Sequence, residues 1–428
     1  MKQLKTIQLI CIIAVLLISC NNKDDQKLPT VNVGGIELPD LDPDLLVPVD
    51  VKLSQIADNI RVVTLETSSE SMLSTDAYFL IGDIYIIAFD RAGIYQFSID
   101  GTFIRKLANI GRGPGEIPYA RPKSTLVEDE DMLVAFDTDK IYMYELSTGN
   151  FLGDDKRLLL DADQNLSNAR YIGDSLLLFS YEQSGTMTED ISEDSTGCGI
   201  KIQSLSGIIL WEKKFDYRSW VIYSMLNMKV LDGSNINILS TNNPEEFILQ
   251  VYDQDTIYKL NTETFSIEPT LIRHIEKQMI EGYPVNLRVD NCIIEYDEFA
   301  RVNGYQLMNF TYLMDVQSKL GFRYLILYDD NNNTASRIGT FFNDHLGFHH
   351  ETSNDIGSNH NLPFLIEPSR KLVEIYDAFT FSQNAEESLL NTDLDASVKT
   401  RLLELKGKIS ETDNPVLVIG DIKKKIDL

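Results

Sequence analysis

From Ile60 to about Ile375 the chain breaks into short apolar runs separated by Gly, Asp and Asn. Gly82-Asp83 precedes IYIIAFD, Ala92-Gly93 precedes IYQFSID, and Asp100-Gly101 precedes TFIRKL. Runs of this length bounded by turn residues predict β-hairpins in a meander. The rhythm recurs. DMLVAFD, KIYMYEL and NFLGDDKRLLL form a second set, and SLLLFSY, GIKIQSL and GIILWEKKF a third, interrupted by an acidic loop over 188–196. NINILST, FILQVYD and TIYKLN form a fourth, NCIIEYD, RYLILYDD and ASRIGTFF a fifth, and LPFLIEP with KLVEIYD opens a sixth.

A unit of this kind cannot bury both faces alone, so repeated units pack around a common axis as a β-propeller. About 360 residues at roughly 60 per unit give six blades. The alternative is two packed β-domains. The fold class expected is therefore all-β, a six-bladed β-propeller with a C-terminal helix and a closing terminal strand. The helix is read over 384–410, where Leu389, Leu390, Leu394, Val398, Leu402, Leu403, Leu405 and Ile409 recur near helical spacing. Asn414-Pro415 ends it, and Val416–Ile419 reads as a strand that joins a blade begun by Ile60–Leu65. Such closure removes open sheet edges.

The head of the chain differs. Lys2 and Lys5 precede an apolar run from Leu9 to Ile18, too short for a spanning helix, which needs about 20 residues. Leu17-Ile18-Ser19-Cys20 resembles a bacterial lipobox, which implies a signal peptide over 1–19 and a lipid-bearing Cys20. Lys23-Asp24-Asp25 resembles the tag that sends some Bacteroidetes lipoproteins to the outer surface. The expected place is the outer membrane, lipid-anchored and surface-exposed, or else facing the periplasm. Residues 20–52, polar and broken by Pro29, Pro39, Pro43 and Pro48, read as a tether, with the propeller over 53–428.

The net charge is −27, from 38 basic and 65 acidic residues. This field repels nucleic acid and anionic membrane surfaces. Once Cys11 leaves with the signal and Cys20 takes lipid, Cys198 and Cys292 remain. They could pair, or stay buried thiols.

Several segments together resemble the six-bladed β-propeller lipoproteins of Bacteroidetes. These are Val63-Thr64-Leu65-Glu66-Thr67, Gly111-Arg112-Gly113-Pro114-Gly115-Glu116, Asp255-Thr256-Ile257-Tyr258 and Asn414-Pro415-Val416-Leu417. The resemblance runs from Ile60 to Ile422 and implies a fold and a location rather than a reaction. Thr64 stands where that family has proline, and Ile117 follows Glu116 where an aromatic is common.

Sites for chemistry are sparse. The Gly111–Glu116 loop lacks the spacing and the Lys-Ser/Thr of a phosphate cradle, and Pro114 removes a donor. It reads as a rigid inter-blade loop, or as one presenting Arg112 and Glu116 to a ligand. Asp40, Asp42 and Asp44 lack the Gly and Glu of a calcium loop, as do Asp161, Asp163 and Asn165. His345 and His349 would share a face on a helix and could hold zinc, but FFNDHLGFHHETSND reads as loop. His350 and His360 follow it, and His274 stands alone in a strand. Tyr217-Arg218-Ser219-Trp220 with Tyr223 reads either as inter-blade packing or as a surface for sugar faces or peptides. Trp211 reads as core. No nucleophile motif, metal or cofactor is expected. The function expected is a non-catalytic binding or scaffold propeller taking a glycan or an envelope protein through Arg112, Glu116, Arg218 and Trp220. The alternative is a polysaccharide-active hydrolase or lyase.

Overall fold

The computed structural model describes residues 27–426, apart from 43–44, 76, 119–122, 154–155, 184–196, 216–217, 224–227, 234–235, 242, 252–255, 274–299, 316–319, 352–363 and 367–370. It begins with β1 (Thr30–Val33), β2 (Ile36–Leu41), β3 (Pro48–Lys52), the short α1 (Leu53–Ile56) and β4 (Ala57–Thr64). Six four-stranded antiparallel blades then form, as the sequence predicts. Blade 1 is β5 (Tyr78–Ile81), β6 (Tyr85–Asp90), β7 (Gly93–Ser98) and β8 (Phe103–Asn109). Blade 2 is β9 (Lys123–Val127), β10 (Met132–Asp137), β11 (Lys140–Glu145) and β12 (Phe151–Gly153). Blade 3 is β13 (Gln164–Tyr171), β14 (Leu176–Gln183), β15 (Gly197–Ser204) and β16 (Ile209–Phe215). A separate hairpin, β17 (Arg218–Tyr223) with β18 (Met228–Gly233), precedes blade 4.

Blade 4 is β19 (Ile236–Ser240), β20 (Glu246–Val251), β21 (Thr256–Asn261) and β22 (Ser266–Arg273). Blade 5 is β23 (Ala300–Val302), β24 (Tyr305–Asp315), β25 (Leu320–Asp329) and β26 (Thr334–Asn343), with β27 (Phe348–Glu351) folded back on the end of β26. The expected strand NCIIEYD lies outside the described residues, and residues 300–315 supply the first two strands of blade 5. Blade 6 opens with β28 (Phe364–Ile366) and β29 (Lys371–Tyr376).

The helical tail is two helices, α2 (Ala378–Leu390) and α3 (Ala396–Lys406). Asp377 caps the first by accepting from Thr380 N at 2.9 Å, and Asp395 caps the second by accepting from Ser397 N at 2.7 Å. Phe381, Ala385, Val398 and Leu402 bury their apolar stripe in the core that joins blades 5 and 6. The last strand, β30 (Val416–Ile422), pairs with β29 on one side and with β4 on the other. Val416 faces Thr64 and Leu417 faces Val63, the closure predicted from sequence.

The expected tether over 20–52 is corrected from Lys27 onward. Gly34 and Gly35, both at positive φ, turn β1 onto β2 as a tight hairpin. β2 then runs parallel to β22 of blade 4, β3 parallel to β26 of blade 5, and β4 closes blade 6. Leu28, Leu41 and Leu46 fill the seam between blades 4 and 5, beside Ile248, Leu271, Met308 and Ile326. Pro39 and Pro48 are compatible with this lacing, because Pro39 precedes the two residues of β2 that pair with β22 and Pro48 opens its strand.

The first strands of the blades line the axis, with β5, β9, β13, β19 and β23 packing in succession and β28 against β5. Antiparallel order fixes the two ends of the ring. The turns from the first to the second strand of a blade all lie at one end, the short-turn mouth. The connections between blades, including the Gly111–Glu116 loop, lie at the other.

Candidate functional site

A cavity of about 290 Å³ opens at the short-turn mouth. Leu80 of blade 1, Ser124 to Val127 of blade 2, Arg170 and Tyr171 of blade 3, and Ser240 of blade 4 form its wall. The turns after those strands form its rim, with Asp129, Glu130, Gly173, Asn243 and Glu246. The turns at this mouth are tight, with positive φ at Asp131, Gly173, Asp174 and Ser175.

Arg170 ties the wall together. One guanidinium nitrogen donates to Ser124 O in blade 2 at 3.3 Å and the other to Ile238 O in blade 4 at 3.4 Å. Tyr171 N donates to Thr125 Oγ1 at 3.1 Å. Tyr171 OH donates to Glu130 Oε2 at 2.6 Å and accepts from Ser175 N at 3.1 Å. Burial, then the Glu130 hydrogen bond, push this phenol above its ordinary range, so it stays a proton donor.

The run Glu128-Asp129-Glu130 divides its work among three neighbours. Glu128 accepts from Asp83 N, Ile84 N and Tyr85 N of blade 1 at 2.7, 3.0 and 2.8 Å. Glu130 takes the Tyr171 proton of blade 3. Asp129, exposed, faces the cavity. Across the rim, Glu246 pairs with Lys259 at 3.7 Å. The site presents carboxylates at the rim and a cation in the wall, an arrangement for a polar ligand without strong negative charge.

The residues singled out from sequence stand elsewhere. In the Gly111–Glu116 loop the Glu116 carboxylate turns back onto Gly113 N at 2.7 Å, and Gly111 N bonds Ile117 O at 2.9 Å. Gly115, at φ +73, lies against Phe151 of blade 2, and its carbonyl accepts from Tyr144 OH at 3.3 Å. Glu116 thus stabilises its own loop, while Arg112 is exposed. Arg218 and Trp220 lie in β17, a strand rather than a loop, facing Gly233 and Leu231 across the hairpin. Both pairs sit on inter-blade connections, away from the cavity. Cys20 lies outside the described residues.

The other motifs resolve similarly. His345 is in the turn after β26, whereas His349 and His350 are adjacent on β27 and face opposite sides, so no helical pair forms. His349 stacks on Phe342, and buried His350 bonds Tyr376 OH at 2.8 Å beside Glu374. His274 and His360 lie outside the described residues. Asp40 falls in β2, and Asp161 accepts from Gln164 at 2.8 Å near Lys201. Among the described residues no group of three or more His, Cys, Asp or Glu is placed to hold a metal ion. Cys198 is a buried thiol, pushed up to about 12 by burial and then by Glu182; Cys292 lies outside the described residues. Trp211, expected as core, is only half-buried at the edge of blade 3.

Sequence reasoning missed the cavity residues. Its inner strands, KSTLV and QNLSNARY, mix polar with apolar residues and lack the apolar runs that mark the middle strands. An arginine inside a strand, Arg170, was the available signal.

Among the described residues no helix is long and apolar enough to cross a membrane. No curated protein sequence matches the chain. A Bacteroides fragilis protein described as presumed exported shares the fold, with a TM-score of 0.57 and 18% identity over 88% of this chain and 98% of that one. A DUF4221-family member from Bacteroides vulgatus gives a TM-score of 0.42 and 11% identity over 86% of this chain and 98% of that one. The profile of one family spans nearly all of the ring, residues 40–421, and the chain belongs to that family, described as a domain of unknown function, DUF4934.

Proposed function

We propose that this chain is an exported, lipid-anchored, non-catalytic binding propeller of the cell envelope that takes a glycan at the short-turn mouth of its ring. The observation that carries the reading is the cavity, because side chains from four successive blades converge there around one hollow of mixed polar and apolar lining. Its size approaches the lower range of ligand sites, roughly 300–1,000 Å³. Asp129, exposed at the rim and facing the cavity, offers an acceptor of the kind that sugar hydroxyls meet. Export and the lipid on Cys20 rest on the Leu17–Cys20 motif, and the exported description of the Bacteroides fragilis relative agrees with export alone. A binding role suits this ring, since the phenol of Tyr171 is held protonated and Glu128, Glu130 and Glu246 are engaged by structural partners.

The test is titration calorimetry with the chain lacking residues 1–20, which keeps every described element, against a panel of neutral oligosaccharides. Wild type should bind saturably without turnover. Asp129→Ala should weaken binding about tenfold, while Arg112→Ala should leave it unchanged. Loss of binding in Arg112→Ala with Asp129→Ala unaffected would move the site to the opposite mouth. Saturable release of reducing ends would favour the hydrolase or lyase alternative.

A further inference from the structure

An aromatic pair lies on the same face as the cavity, farther from the axis. Trp211, near the start of β16 in blade 3, and Phe265, in the turn between β21 and β22 of blade 4, stack across the inter-blade seam. Their ring centroids are 6.3 Å apart and their planes 14° from parallel. Phe265 is 36% exposed, so the ring keeps surface free beyond the part that meets Trp211. It also sits at φ +53, a conformation an aromatic residue rarely adopts. The turn holds it there. Asn261 Oδ1 accepts from Glu263 N at 3.0 Å, Thr264 N at 2.8 Å and Thr264 Oγ1 at 2.9 Å. A strained backbone fixed by its own turn to display an aromatic ring suggests use of the ring.

The pair is joined to the cavity rim on both sides of the seam. In blade 4, Thr262 N and Thr262 Oγ1 both donate to Glu245 O, at 2.8 and 3.1 Å, tying the turn of Phe265 to the turn that borders the cavity. In blade 3, Leu205 N donates to Ser175 O at 2.7 Å, tying the turn before β16 to the turn after β13. Ile172, which lines the cavity, packs in the same apolar cluster as Trp211. The surface from the cavity to the two rings is therefore one hydrogen-bonded rim.

We propose that Trp211 and Phe265 form a second saccharide subsite, a stacking platform outside the cavity, so that the ligand is a neutral oligosaccharide running outward across the rim of blades 3 and 4. This rests on the reading of the cavity as a glycan site and adds the ligand's length and charge. Backed by Trp211, the side of the Phe265 ring turned away from it suits the flat C–H face of a pyranose ring. Glu263 in the turn of Phe265 and the rim carboxylates disfavour uronic acids or sulfated sugars.

The experiment compares matched neutral disaccharides and tetrasaccharides on the chain lacking residues 1–20, by calorimetry. Phe265→Ala should lose about tenfold in tetrasaccharide affinity and nothing for the disaccharide held in the cavity. Phe265→Gly should lose the same affinity while melting at a higher temperature than Phe265→Ala, because glycine accepts the positive φ; this separates binding from folding. Equal tetrasaccharide affinity in wild type and Phe265→Ala, with disaccharide binding intact, overturns the platform alone. Failure of wild type to bind any saccharide overturns the cavity reading and the platform with it. A tetrasaccharide no tighter than the disaccharide in wild type also rejects the platform.

Discussion

Replacing Asn414 with alanine should weaken ring closure measurably while leaving the closing strands paired. Asn414 is 2% exposed and joins the C-terminal strand to the segment that leaves β4. Its Nδ2 donates to Glu66 O and Ser71 O, both at 2.8 Å, and its Oδ1 accepts from Leu73 N at 2.7 Å. Its backbone N–H donates to Thr67 Oγ1 at 2.8 Å and survives the substitution. Three side-chain hydrogen bonds at about 1 kcal/mol each put the loss at about 3 kcal/mol, with Glu66 O still accepting from Ser71 Oγ at 2.7 Å. With an unfolding entropy of ~2 cal/mol/K per residue over roughly 400 residues, this lowers the melting temperature by about 4 °C. Asn414→Asp should be at least as damaging at neutral pH, because a carboxylate oxygen would face the carbonyls of Glu66 and Ser71. Scanning calorimetry with urea unfolding measures both variants. A change below about 0.5 kcal/mol in Asn414→Ala would refute the reasoning.

Gly82→Ala should destabilise the seam between blades 1 and 2 by ~2 kcal/mol, since an added Cβ would clash with Glu128 Oε1 and expel a carboxylate that accepts three backbone donors; urea titration reads it, and an unchanged midpoint counts against the contact. Burial, then Arg401, lower His345 to about 4 from 6.5. The unfolded chain therefore binds the proton first, and stability should fall as pH drops from about 6.5 to about 4, then level off for this group. The full shift corresponds to about 3 kcal/mol, and solvent at this half-buried site reduces the expected loss to about 1–2 kcal/mol. His345→Gln should flatten that part of the pH–stability curve, and an identical curve would contradict the assignment. Cys20→Ala should abolish incorporation of a fatty-acid analogue and leave the precursor uncut; labelling equal to wild type would rule out the lipobox.

The middle strands of the blades were readable because both of their faces are buried between neighbouring blades. β6, β10 and β20 are nearly continuous apolar runs for this reason. Inner strands are harder, since β9 and β13 mix polar with apolar residues and β23 is only three residues long. The N-terminal lacing was missed because its prolines and exposed positions look like linker, and its burial depends on seam residues contributed by blades 4 and 5. The segments around Glu66 and Asn414 were marked by resemblance, yet their contact spans more than 300 positions and no local pattern announces it. The cavity was invisible for a related reason. Its residues are ordinary Ser, Thr, Arg and Asp, and only the ring brings them together.

Hydrogen-exchange mapping of the chain lacking residues 1–20, with and without a saturating neutral tetrasaccharide, tests the central claim most directly. Binding at the short-turn mouth predicts new protection at 124–130, 170–175 and 240–247. Protection confined to 111–117 and 218–233, or none at any saccharide concentration, would contradict it.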